Sequence, residues 1–201
     1  MARLLLIGFS NLTQKYNDVL QYLGTAVHSS ENTNYFDALR KLKKSLESGQ
    51  LAYPFVLQDS SGKFIELAHL KGKVVVMDLW FTGCMACKVL AKQMRPIVKH
   101  FETKKVAFVS VSVDSSKTTW LNSVKKGHYT HPGTIDVYTN GLGYGHPILK
   151  HYNINSYPRM IIIDPEGRLI STTPPRPMDD KHSKSLIKLI ETNLPENLID
   201  H

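Results

Sequence analysis

The sequence predicts an α/β sandwich built on a mixed central sheet. Two near-continuous apolar runs, Val74–Trp80 ("VVVMDLW") and Val106–Val113 ("VAFVSVSV"), have the composition of strands buried on both faces. Each is followed by a segment with helical patterning. A late hairpin, "MIIID" and "RLIS" around "PEGR", is followed by a final helix. Strand–helix–strand–helix and then hairpin–helix is the order of an α/β sandwich whose sheet is partly parallel.

The elements follow in order. Residues 1–50 read as an α-helical N-terminal extension, or the remnant of an upstream domain, and 51–201 as the main domain. Within the extension, Tyr16, Val19, Leu20 and Leu23 suggest a short helix ending near Gly24. From Thr33 to Ser48, Phe36, Leu39, Leu42 and Leu46 recur at helical spacing with basic residues opposite. "ESGQLAYP" then reads as a linker. "FVLQDSSGKFIEL" is two short β runs about Asp59-Ser60-Ser61-Gly62, a hairpin signal. After Trp80 a helix should start near Cys84 and run towards Phe101, with Pro96 kinking it. Ser116–Val124 is the next helix, Ile135–Tyr138 a short strand, and His146–Tyr152 a further helix. The last helix spans Asp179–Asn193 and presents Leu186, Ile187, Leu189 and Ile190 on its apolar side.

Composition excludes several function classes. The formal charge is +8, yet the basic residues are scattered in pairs such as Lys43-Lys44, Lys104-Lys105 and Lys125-Lys126 with no interleaved aromatics. That is a solvated basic surface with no nucleic-acid partner. No window approaches 18 consecutive apolar residues, so membrane association is expected only through a segment outside this chain. The apolar run Leu4–Phe9 is shorter than the roughly 7–15 residues of a secretory core and lacks a convincing cleavage site.

The chemistry lies in "WFTGCMACK", which holds both cysteines of the chain, Cys84 and Cys87. A disulfide across so short a loop removes little chain entropy, so stability does not explain the pair. At the start of a helix the two Cα atoms lie roughly 5–6 Å apart, within disulfide range. The free N–H groups there, the macrodipole, and the cations Lys88, Lys92 and Arg95 all favour a thiolate. The arrangement points to Cys84 as the attacking thiolate and Cys87 as the resolving thiol. A pair of inert core thiols and a zinc site are the alternatives, the latter needing two more ligands that the spacing of His69 and His100 does not supply. Asp78 sits within an apolar strand six residues before Cys84. A buried carboxyl there should have a raised pKa and could take a proton from Cys87, unless it lies at the strand's edge, paired or hydrated.

The run "KVVVMDLWFTGCMACK" resembles the thioredoxin superfamily. The lead-in "FVLQDSSGKFIELAHLKGK" looks like its TlpA/ResA-type branch of thiol–disulfide oxidoreductases, and "INSYPRMIIID" supplies the family's late proline. The resemblance covers roughly residues 54–195 and implies a three-layer sandwich with an N-terminal β-hairpin and a strand–helix insertion. It implies proton transfer by Asp78 and a cis Tyr157–Pro158 bond facing the cysteines. It also implies a substrate-binding face of Trp80, Phe81, Tyr157 and Pro158, and a redox-active disulfide with no other cofactor and no metal. Partners would be disulfide-containing protein substrates and an upstream thiol donor.

Departures from the family pattern are as informative. Ser110 stands where a partner lysine is common, and Leu90 where the ResA-type branch has a glutamate. Gly83 replaces a common aromatic, and Ala86 a common proline. The expected activity is therefore a thiol–disulfide oxidoreductase, with the reductase direction favoured. A peroxiredoxin-like peroxidase and a Sco-like copper-delivery protein are the alternatives; the latter would draw on His128, His131 and His146. The implied location is a bacterial periplasm or extracytoplasmic face, with the cytoplasm as the alternative.

Overall fold

The computed structural model describes residue 37 and residues 40–195. The proposed helix at Tyr16–Leu23 and the run Leu4–Phe9 lie outside the described residues. The chain divides into two compact units, residues 1–45 and 46–201. In the first, residues 40–45 are helical.

The second unit holds seven strands: β1 (Val56–Asp59), β2 (Phe64–Glu66), β3 (Val74–Trp80), β4 (Val106–Ser112), β5 (Thr134–Tyr138), β6 (Arg159–Ile163) and β7 (Leu169–Ser171). They form one sheet in the order β2-β1-β5-β4-β3-β6-β7. β3, β4 and β5 run parallel, their neighbours β1 and β6 are antiparallel to them, and the edge strands β2 and β7 are antiparallel to β1 and β6. Its α-helices are α1 (Met85–His100), α2 (Lys117–Lys126), α3 (Pro147–His151) and α4 (Asp180–Thr192). The mixed sheet predicted by the element order is therefore present. β5 and α3 are the strand–helix insertion ahead of the closing hairpin.

The apolar runs are explained by burial on both faces. On one face Val74, Val76, Phe108, Met160 and Ile162 pack against Leu90, Met94 and Ile97 of α1 and Leu186 and Ile190 of α4. On the other, Val75, Met77, Leu79, Val109 and Val111 meet Ile148 and Leu149 of α3. Because the side-chain period of a strand is 2, one continuous apolar run supplies both layers.

Local chemistry sets the ends. In the first hairpin Asp59 Oδ1 accepts from the N–H groups of Ser61 and Lys63, and in the last Asp164 Oδ1 accepts from Glu166 and Arg168. Ser116 caps α2 and Asp179 caps α4 through their side-chain oxygens. Helix α1 continues through Pro96 to His100.

The segment "ESGQLAYP" is no free linker. Gly49 N–H donates to Leu169 O at 2.7 Å, Leu169 N–H to Gln50 O at 2.7 Å, and Ala52 N–H to Gly167 O at 2.9 Å. Leu51 pairs antiparallel with Arg168. Its Ser, Gly and Gln content suggested a connector, but the backbone, which carries no sequence signal, does the bonding.

Candidate active site

Cys84 is the N-cap of α1 and Cys87 lies in its first turn. Their sulfurs are joined as a disulfide with Cα atoms 5.3 Å apart, within the range predicted from the spacing. Cys87 N–H points at Cys84 Sγ across 3.1 Å, so a free backbone donor of the helix start meets the sulfur that would carry negative charge. Cys84 is 7% exposed and Cys87 3%; the first cysteine is the less deeply buried residue. Lys88 sits with its ammonium 5.6 Å from the Tyr129 ring centroid, whereas Arg95 turns away and donates to Gly127 O.

The loop before Cys84 is braced from three directions. Asp114, just past β4, accepts from Thr82 N–H at 2.9 Å, Thr82 Oγ1 at 2.8 Å and Ser112 Oγ at 2.8 Å. Thr82 Oγ1 also meets Ser123 Oγ of α2 at 2.7 Å. Gly83 N–H donates to the Tyr129 hydroxyl at 2.7 Å. Gly83 has φ +101°, a conformation that side-chain-bearing residues rarely adopt, so the aromatic common at this place would not fit this backbone. Asp114→Ala would take the acceptor from the Thr82 N–H and the Ser112 hydroxyl at a buried position and leave the Thr82 hydroxyl with Ser123 alone. It is expected to cost about 2–4 kcal/mol, read as a fall in the urea midpoint, and to change the alkylation rate of reduced Cys84. An unchanged midpoint would show that the brace is not holding the loop.

Trp80 is a correction. Expected at the substrate face, it is 1% exposed, stacked on Tyr129 at 4.4 Å with a 5° interplanar angle, and its Nε1–H donates to Ser110 Oγ at 2.8 Å. It supports the cysteine loop from beneath, because its even position on β3 turns it onto the covered face. Phe81 and Tyr157 are half-buried and pack against the cluster that contains both cysteines. Leu79 pairs with Arg159; extending that register by two places Tyr157 beside Phe81, and their rings meet edge-on at 5.4 Å. The ring of Tyr144, between β5 and α3, stands 5.8 Å from that of Tyr157. The Tyr157–Pro158 bond is cis, and Pro158 O accepts from Arg176 at 2.8 Å.

Asp78 lies beneath α1, on the same face of the sheet as Val76 and Trp80. Burial pushes its carboxyl up to about 8, the charge of Asp136 adds to that rise, and a hydrogen bond from Ser110 opposes it. Ser110 pairs directly with Asp78 across β3 and β4, which is the place assigned to it from sequence. Of the histidines considered for copper, His146 Nδ1 accepts from Ile148 N–H as the cap of α3.

The sequence reading missed Asp114, Tyr129, Tyr144 and Asp136. Asp114 directly after an apolar strand ("VSVDSS") was a usable signal; the others depend on the tertiary fold.

Comparison with known proteins agrees with this geometry. Residues 72–169 match the family model described as thioredoxin-like. The chain is 33% identical over 135 residues to the thiol-disulfide oxidoreductase ResA of Bacillus subtilis, covering 67% of this chain and 72% of that protein. It is 30% identical over 152 residues to ResA of Bacillus cereus, covering 76% and 82%. Among solved structures, the thioredoxin domain of a thiol-disulfide oxidoreductase from Bacteroides vulgatus superposes with a TM-score of 0.62 over 75% of this chain and all of that one. At 23% identity that likeness is one of fold.

Proposed function

Because the chain belongs to the thioredoxin-like family as a ResA-type thiol–disulfide oxidoreductase, we propose that its Cys84–Cys87 pair runs as a reductant of protein disulfides. The observation that carries the reading is the unequal placement of the two sulfurs. Cys84 caps α1 and receives the Cys87 N–H, while Cys87 is the more buried residue.

In the forward direction the Cys84 thiolate attacks a substrate disulfide and one substrate thiolate leaves. Cys87 then attacks Cys84 Sγ, closing the intramolecular disulfide and releasing the second substrate thiol. Asp78 takes the Cys87 proton. A raised carboxyl pKa suits that task, since the acid must be able to hold a proton near neutral pH. The pair is itself the reagent, so the cycle draws on no metal, flavin or nucleotide, and an external thiol donor restores the dithiol.

The substrate lies along the cis Tyr157–Pro158 turn, where the Tyr157 backbone is offered for strand addition. Phe81, Tyr157 and the exposed Met85 and Tyr144 supply an apolar surface for residues flanking the substrate cysteine. The location is an extracytoplasmic face, where disulfides form and persist. No helix among the described residues is long and apolar enough to cross a membrane.

A redox titration tests the reading, with thiol alkylation read by mass. Oxidised protein should take no label and reduced protein two. A midpoint nearer about −270 mV than about −120 mV supports the reducing direction, and one near −120 mV assigns the opposite direction. Two alkylatable thiols under every oxidising condition would remove redox exchange altogether.

A further inference from the structure

Asp78, Ser110 and Asp136 occupy one row of the sheet. Asp78 pairs with Ser110 across β3 and β4, and Ser110 with Asp136 across β4 and β5. In-register residues of parallel strands share a face, so the two acids lie on the side covered by α1, about 10 Å apart at their Cα atoms. A small cavity beneath α1, with room for about one water molecule, is lined by Asp78, Tyr129, His131 and Thr134 among apolar neighbours. His131 and Thr134 also line a cleft of about 800 Å³ that opens to solvent and includes Asp136. Asp78 therefore faces a small cavity that shares two polar walls, His131 and Thr134, with a cleft open to solvent, away from the cis-proline turn.

The hydrogen bonds at Asp136 suit a group that gains and loses a proton. Thr134 Oγ1 lies 2.7 Å from His131 O and 2.7 Å from Asp136 Oδ1. The hydroxyl has one hydrogen and a carbonyl can only accept. Thr134 can therefore give its hydrogen to Asp136 Oδ1 when Asp136 is the carboxylate and to His131 O when it is the acid, so the contact is kept in both protonation states. We propose that Asp136 is the proton outlet of Asp78, passing the resolving thiol's proton past His131 and Thr134 to water in the cleft.

The step balances. Cys87 attacks Cys84 Sγ in the mixed disulfide, the Cys84–Cys87 bond forms, and the bond to the substrate sulfur breaks with its electron pair. The Cys87 proton goes to Asp78, the Asp78–Asp136 pair hands one proton on, and water in the cleft accepts it. The pair of cysteines is oxidised and the substrate reduced, with no further reagent.

The groups that face Asp136 are Asp78 from β3, the hydroxyls of Thr130 and Thr134, His131 from the preceding loop, and Arg95, Lys99 and Glu102 from the α1 side of the cleft. Burial pushes the Asp136 carboxyl up to about 6, against hydrogen bonds from Thr134 and Thr130. His131 is held below its ordinary range by burial and by Arg95, and its Nδ1 has no partner among the described residues. It is thus neutral at pH 7 and adds no fixed charge there.

The inference rests on Asp78 as the acceptor, and the test separates the two. Reduced wild type, Asp136→Asn, Asp136→Glu and Asp78→Asn are mixed with insulin as a disulfide-bonded protein, quenched with acid and alkylated. Formation and decay of the mixed disulfide are followed from pH 5 to 9. Asp136→Asn should slow decay by about tenfold, less than the 10²–10⁴ of losing a general base, and move its pH midpoint to lower pH, since a neighbouring negative charge is removed. Asp136→Glu should restore both. Slow decay in Asp78→Asn with normal decay in Asp136→Asn overturns the outlet alone, and normal decay in both overturns the Asp78 reading with it. A slowed Asp136→Asn whose midpoint does not move reduces Asp136 to packing and also overturns the outlet. Should Asp136→Asn fail to fold, carbon-13 carboxyl titration of oxidised wild type decides. Coupled two-step curves for Asp78 and Asp136 support the relay, and an independent single step for Asp136 refutes it.

Discussion

Cys84→Ser is expected to lower protein-disulfide reduction by at least about 10³-fold, the order lost when an active-site nucleophile is removed. A serine hydroxyl is not ionised at neutral pH, so the helix start and its N–H donors have no anion to stabilise. Cys87→Ser should behave differently. Cys84 keeps its capping position, attacks, and then waits, because no thiol lies beneath to resolve it. The product is a stable mixed disulfide, visible as a mass increase equal to the substrate chain. The contrast is the informative part: loss of adduct in one variant and accumulation in the other assigns attacker and resolver. Accumulation of adduct in Cys84→Ser would reverse that assignment.

The oxidised protein should become less stable as pH rises from about 4 to 9, and Asp78→Asn should flatten much of that slope. Both partly buried acids are raised from 3.8, Asp78 to about 8 and Asp136 to about 6. Between those values the folded chain binds protons that the unfolded chain has released. Their stabilising contribution is therefore complete below about pH 4, is reduced as pH climbs through the Asp136 value, and is lost through the Asp78 value. Each 1 kcal/mol withdrawn lowers the thermal midpoint of a domain this size by about 2–4 °C. Melting wild type and Asp78→Asn at pH 5, 7 and 9 reads the difference directly, since other titrating groups are common to both. Parallel curves would mean that Asp78 ionises in the fold without penalty.

How far the site could be read from the sequence follows from how each residue is specified. Cys84, Cys87 and the Tyr157–Pro158 turn are local signals, fixed by spacing and by the residues beside them. Asp78 was legible because a carboxylate inside an apolar strand is anomalous by itself. Trp80 looked like a surface ring because it borders the cysteine motif, yet strand alternation places it underneath. Asp136 carried no such signal: "TIDVY" is an ordinary strand with one polar position, and its meaning comes only from the register that aligns β3, β4 and β5. Tyr129 likewise acquires its role from a long return of the chain to Gly83 and Trp80.

The pairing of residues 49–52 with the outer side of β7 has a practical meaning for dissecting the protein. Those residues act as the sheet's selvedge. A chain begun at Tyr53 would keep both cysteines, Asp78 and the proline turn, but would bare the backbone N–H and C=O groups of Leu169 to solvent. An uncovered edge of that kind is a template for another chain to join. The smallest fragment that carries the chemistry is thus shorter than the smallest one that keeps to itself.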